Sequence, residues 1–245
     1  MSKRFYDTDW WKNMVISIVG TVVGIVLTFG TTFYIEKKDK EKMVRKTVVI
    51  TLHNLDAKIN NLNSSLEWMK HADSLFQAVT RRIPDHLSEV AEDTLLAAYD
   101  AFTYRNVSVS ESIAENVFSN SIEIWEYVDD EHIIGRISNC YSFCGFCTET
   151  LDKMQQERAA VYEDYLKQIK VIRRTPEAVR QFFQRPELGY QMALHVLYTQ
   201  MIDKTLKVVN QMHKRNKIEL GISQEELDAA GYLLTDEDYK ELTDS

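Results

Sequence analysis

VVITLHNLDAKINNLNSSLEWM, residues 48–69, is the stretch on which the reading of the fold turns. Within it Val48, Leu52, Leu55, Ile59, Leu62, Leu66 and Met69 recur at a 4-3-4-3-4-3 spacing. Side chains three and four apart share one face of a helix, so this is a heptad seam sustained for three repeats. A lone surface helix has no use for so regular a stripe. It must pack against another helix, from this chain or from a partner. Between Gly30 and Pro84 no glycine or proline interrupts the sequence, so the helix is expected to run on toward the N-terminus.

Upstream, Met14 to Ile35 reads MVISIVGTVVGIVLTFGTTFYI, 22 residues without a charge. At 1.5 Å per residue this spans about 33 Å, enough for a hydrocarbon core of roughly 30 Å. Trp10 and Trp11 precede it and Tyr34 lies near its end, where amphipathic rings prefer the membrane interface. A cleaved signal peptide would carry a shorter apolar region and a small-residue cleavage site, so the helix is expected to stay attached. Gly20, Gly24, Thr28 and Thr32 recur every four positions, a shallow stripe on which a second membrane helix can approach closely. Lys3, Arg4 and Lys12 precede the span; Lys37, Lys38, Lys40, Lys42, Arg45 and Lys46 follow it. The positive-inside count therefore places the C-terminal domain in the cytoplasm. The basic N-terminal tail pulls the other way and keeps the periplasm open as the alternative.

Beyond the anchor roughly 200 residues remain, enough for one domain with a sizeable core. Glycine occurs 8 times and proline 3 times in 245 residues, too few for strands joined by tight turns. Of the formal net charge of −8, the stretch from Ser223 to Ser245 contributes most, with eight acidic residues against Lys240. A nucleic-acid footprint needs clustered Lys and Arg, so nucleic acid is not expected as a partner. The tail reads as a solvated face.

Further helices follow from local signals. Pro84 suits the first turn of a helix running toward Phe102. Tyr104 to Ser110 reads as a connection, and Ser112 to Phe118 as a short helix. Asp129 and Asp130 can cap a long helix reaching about Arg174. Thr175-Pro176-Glu177 opens another, and Pro186-Glu187 restarts it toward Leu220 before Gly221. Lys214, Arg215 and Lys217 sit in its last turns, where cations complement the helix dipole. Ser223 with Glu226 forms a capping box, and Thr235 with Asp238 can begin a last short helix. The expected fold is all-α, a single N-terminal transmembrane helix followed by a long-helix bundle with coiled-coil-like heptad seams. Its parts are a tail at 1–13, the membrane helix at 14–35, a charged helical stem at 36–83, a bundle domain at 84–222, and acidic short helices at 223–245.

Cys140, Cys144 and Cys147 spell C-x3-C-x2-C, with Phe146 before the last, the letter pattern of the cluster loop in radical S-adenosylmethionine enzymes. Three thiolates there hold an iron–sulfur cluster. The spacing favours another reading. Ile133, Ile137, Cys140, Cys144, Cys147, Leu151 and Met154 form one helical seam, on which Cys140 and Cys147 stand about 10 Å apart along the axis. Free cysteine packs as a small hydrophobe, so a core role is expected and no cofactor. His53, His71, His86, His132, His195 and His213 show no H-E-x-x-H and no Cys–His pairing. Asp129 and His132 have the spacing of half a di-metal carboxylate site, but the second acid-x-x-His pair is missing. With no nucleophile elbow, phosphate loop or dinucleotide fingerprint either, no catalytic, metal or cofactor residues are assigned.

The GIVL anchor segment (Gly24 to Leu27), the stem EKKDKEK (Glu36 to Lys42) and SESIAENVFSN (Ser110 to Asn120), ahead of a helix carrying Ile134, Ile137 and Tyr141, resemble a family of single-pass membrane proteins of Bacteroidota. That family carries a helical domain of unknown function. The resemblance covers about the first two thirds of the chain. The cysteine trio and the short mixed-charge N-terminal tail depart from it. It implies a bacterial inner membrane and an exported domain, and it brings no activity or catalytic residues. The function expected is a non-enzymatic, membrane-anchored scaffold or interaction module that self-associates or binds a protein through its helix seams. The alternatives are a sensor holding a small ligand in its bundle and, further off, an iron–sulfur enzyme.

Overall fold

Backbone hydrogen bonding carries α1 without interruption from Thr8 to Thr80, 73 residues and about 110 Å of helix. The computed structural model describes residues 8–83, 85–104, 130–169 and 174–231, with Phe118, Trp125 and Val128; between 8 and 36 the description is of the backbone alone. The span 14–35, with Gly20, Gly24, Thr28 and Thr32, thus lies outside the described side chains. So do the connection after Tyr104, most of the 112–118 helix, Asp129, and the Thr235 helix. Among the described residues no helix is long and apolar enough to cross a membrane.

Five more α-helices follow among the described residues, with no strand: α2 (Glu92–Thr103), α3 (Glu131–Gln168), α4 (Pro176–Phe183), α5 (Pro186–Glu219) and α6 (Gln224–Gly231). The fold is all-α. In α1 the seam from Val48 to Met69 is buried, as its spacing predicts. Asn54, Ser64 and Ser65 bond the carbonyls of Ile50, Asn60 and Asn61, so their side chains stay with their own helix.

α1, α3 and α5 make a three-helix bundle. α3 runs parallel to α1, since the Tyr141 hydroxyl donates to the Thr51 carbonyl at 3.2 Å while Arg158 lies over Trp68. α5 is antiparallel to both. His213 and His195 of α5 meet Asp56 and Met69 on α1, while Val209 and Asn216 of α5 meet Cys140 and Arg136 on α3. Two cores follow. The first joins Val48–Met69 of α1 to Ile133–Met154 of α3, Ile202–Val209 of α5, Ile222 and Leu227. The second joins Ala72, Phe76 and Val79 of α1 to α2, α4, Leu188 and Met192. Its rings meet mostly edge to face, Phe182 against Tyr99, Phe102 and Tyr165 at 4.9–5.4 Å, the arrangement ring quadrupoles prefer.

Three helix starts match their capping signals. The Asp130 side chain accepts from the His132 N–H at 2.8 Å at the head of α3. Thr175 accepts from Ala178 N–H ahead of Pro176, and Ser223 from Glu226 N–H ahead of α6. Two boundaries differ from expectation. α2 begins at Glu92 rather than after Pro84, because one 3-10 turn at Leu87–Glu89 and an extended Val90 place both Leu87 and Val90 in the second core. α3 stops at Gln168, not near Arg174. Ile169 is extended there, and Val179, Phe182 and Phe183 of α4 are buried in the same core.

α5 ends in a left-handed glycine. Gly221 has φ +59°, its N–H bonds the Ile218 carbonyl, and the Ile222 N–H bonds that of Lys217. This is a Schellman stop, with Ile222 buried as its apolar partner. It turns α6 back onto α1, where Arg45 grips Glu226 with two nitrogens at 2.7 and 2.8 Å and also bonds the Gly221 carbonyl.

Candidate functional site

Cys140, Cys144 and Cys147 face inward from α3 and are fully buried. They lie along a helix and not around a common centre, and no disulfide joins them. Burial pushes the Cys140 and Cys147 thiols up to about 12, so at neutral pH neither is the thiolate that metals and electrophiles require. They pack as apolar residues between the long helices.

The six histidines divide. His86 and His132 are exposed, whereas His195 and His213 are buried. His213 Nε2 lies 2.7 Å from Asp56 Oδ1, which also accepts from Lys217 at 3.0 Å, while Gln224 of α6 reaches the other oxygen. Burial alone would raise the Asp56 carboxyl, but Lys217 and His213 outweigh it and hold it below its ordinary range. Burial lowers His213 despite Asp56 beside it. The group ties α1, α5 and α6 together; it is a clasp.

A second buried polar group sits where the two cores meet. His195 is fully buried, with Nε2 3.3 Å from the Met69 carbonyl and 3.4 Å from Asp73 Oδ1. Burial pushes His195 down to about 3, helped by the Arg158 charge, and pushes Asp73 up to about 6. Arg158, 2% exposed, donates to the Ala101 carbonyl at 3.2 Å and lies 5.5 Å from the centre of the Trp68 ring. Among the described residues no carboxylate pairs with it, and its Nε–H has no acceptor.

The outer face of the α3–α5 pair, away from α1, differs in kind. Tyr190, Leu197, Met201 and Val208 of α5 are exposed, at spacings of 7, 4 and 7 that keep them on one stripe. On α3, Phe143 and Phe146 are about 40% exposed. The register set by Cys140 with Val209 and Arg136 with Asn216 brings Phe143 and Phe146 level with the Met201–Val208 turns. The α5 stripe lies on the side of that helix that Arg136 reaches at Glu219, opposite the side where Asp203 meets Lys70 of α1. The result is one apolar strip across two helices. Its near end is a charged groove of about 540 Å³ lined by Asp130, Arg136, Asn139, Arg215 and Glu219 among others.

No family model, curated protein or solved structure matches the chain, so its function has to be argued from these features. None of the strip was marked in the sequence as a site. Phe143, Phe146 and Met201 stand beside true seam positions and are separable from them only once the bundle's handedness is known. His195 and Asp73 were invisible for another reason, because they lie more than 120 positions apart.

Proposed function

We propose that the chain is a non-catalytic, membrane-tethered helical module that pairs with a second copy of itself through the α3–α5 strip. One observation carries the reading: large apolar side chains exposed in register on two adjacent helices. Both heptad seams are already buried within the chain, so among the described residues this strip is the aligned apolar face available to a partner. Isolated exposed hydrophobes are ordinary, but aligned aromatic and Met side chains are what protein interfaces use as anchors.

A second copy suits the strip because of the tether. We take residues 14–35 as the bilayer span on the strength of their uncharged, interface-flanked sequence. α1 leaves that span without a break and becomes part of the bundle, so copies in one membrane stand parallel. A two-fold axis along the bundles then sets residues nearest the axis against their own counterparts. Like charges there would repel; Phe146, Met201 and Val208 do not. From Tyr190 to Val208 the strip runs about 27 Å, and two helices wide it offers on the order of 500 Å². A stable soluble dimer uses about 800 Å² per partner, so the strip gains from confinement in the membrane and from the small-residue stripe at Gly20, Gly24, Thr28 and Thr32. The charge count puts the bundle on the cytoplasmic face of a bacterial inner membrane. The resemblance to Bacteroidota single-pass proteins supports the membrane and favours the opposite face.

Phe146→Glu combined with Met201→Glu tests the reading. Both positions are exposed, so the full chain in mild detergent keeps its circular dichroism and melting curve. Light scattering is expected to show dimers for the parent chain and monomers for the variant. Dimers that survive both charges, or a parent chain that is monomeric at every detergent ratio, would overturn it.

A further inference from the structure

Arg158 presents a problem of charge. Its guanidinium is 2% exposed, and transfer of a cation into a protein interior costs several kcal/mol unless a counter-charge or a full set of acceptors replaces water. Two partial compensations are present. One is the Ala101 carbonyl, in the last turn of α2, where the helix dipole is negative. The other is the Trp68 ring. Burial lowers the guanidinium only to about 10, so it stays charged at neutral pH. His195 nearby is neutral and supplies no negative charge, and the Nε–H has no acceptor among the described residues.

Beside this cation lies a cleft with room for about 10 Å³, walled by Phe102, Thr103, Tyr104, Gln155, Ala159 and Tyr162. That is space for one water-sized guest. Phe102, Tyr104 and Tyr162 give it aromatic walls, and Gln155, one turn before Arg158 on α3, can add an amide donor. Tyr104 is half exposed and stacks 4.8 Å from Trp68, so it stands between the cleft and solvent. Among the described residues no carboxylate lines the cleft. A buried cation on the wall and no described acid beside it select a negative guest over a neutral one.

We infer that the Arg158 cleft, at the junction of α1, α2 and α3, is a binding site for a small monovalent anion of halide size. The inference is independent of the pairing proposed above, since the cleft lies on the α1–α2–α3 side of the bundle, away from the strip. An anion there neutralises the buried charge and links α2 and Tyr104 to α3.

Bromide is the probe, because it stands in for chloride and quenches tryptophan fluorescence at contact. The full chain in detergent is titrated with sodium bromide against sodium methanesulfonate at constant ionic strength. Trp68 is expected to give a quenching component that saturates, with the melting temperature rising in bromide and not in methanesulfonate. Arg158→Met is expected to weaken the saturating component by about tenfold or more, and Arg158→Lys, which keeps the charge without the planar guanidinium, by less. Quenching that rises linearly with bromide in the parent chain overturns the inference, as does unchanged saturation in either folded variant. If neither variant folds, the parent chain alone decides: no saturation and no bromide-specific stabilisation means that the cleft holds water.

Discussion

Cys140, Cys144 and Cys147 show how one string of letters carries two chemistries until its periodicity is read. As a loop motif they would be thiolates around iron; as helix positions they are small apolar side chains in a seam. The structure places them fully buried on α3, with Cys140 and Cys147 pushed up to about 12 by burial. Reaction with a disulfide reagent at pH 8 is therefore expected to be near zero in the folded chain and to reach three thiols per chain once urea unfolds it. A fast-reacting thiol in native buffer would contradict the packing. The seam was legible because its signal is local. The pair His195 and Asp73 was not, for its partners come from α5 and α1. Asp73, raised to about 6 from 3.8, holds a proton in the folded state that the unfolded chain gives up between those values. Its contribution to stability is thus fully present below pH 3.8 and is lost as pH rises through about 6. Asp73→Asn removes that loss. It is expected to stabilise the chain by about 1–2 kcal/mol at pH 8, the gain fading to nothing below pH 4, as read by urea midpoints across pH. His195, shifted the opposite way, lowers stability as pH falls from 6.5 toward about 3 in parent and variant alike, so it largely cancels in the comparison.

At the scale of elements, what the sequence marks well is where a helix begins. Pro176 and Pro186 stand at first helical positions, the Thr175 and Ser223 hydroxyls accept capping bonds from backbone N–H groups, and Gly221 supplies the positive φ that a Schellman stop requires. What it marks poorly is where a helix yields to packing elsewhere. The start of α2 and the end of α3 are fixed by Leu87, Val90 and the α4 phenylalanines finding one core, and no nearby residue announces that. α6 separates the two kinds of contact. Leu227 is fully buried against α1, whereas Glu226 makes an exposed ion pair with Arg45. Leu227→Ala is expected to cost about 2–4 kcal/mol in urea unfolding, and Glu226→Ala to leave the midpoint nearly unchanged. Equal losses would mean that the ion pair, and not the apolar contact, seats α6.

For the whole molecule, the feature of most consequence is that α1 runs unbroken from Thr8 to Thr80 and supplies a third of the bundle, so that in the proposed reading tether and bundle share one helix. Parallel α1 and α3 also force a return path for the chain between them, which α2 begins. Periodicity gave the helices but not this order, since a seam says that a face is covered without saying by what. Phe143 and Phe146 beside Tyr190, Leu197, Met201 and Val208 form an apolar face of the described surface that the bundle itself does not cover. The proposed pairing across it, which would join two tethered bundles, is the central claim. Met201→Cys measures it most directly, because the three native thiols are buried and the new one alone is reactive. Oxidation of membranes holding the full-length variant is expected to give a disulfide-linked species of twice the chain mass, absent from the control Asn60→Cys on the exposed side of α1. Monomer alone at position 201, or equal dimer at both positions, would contradict the account.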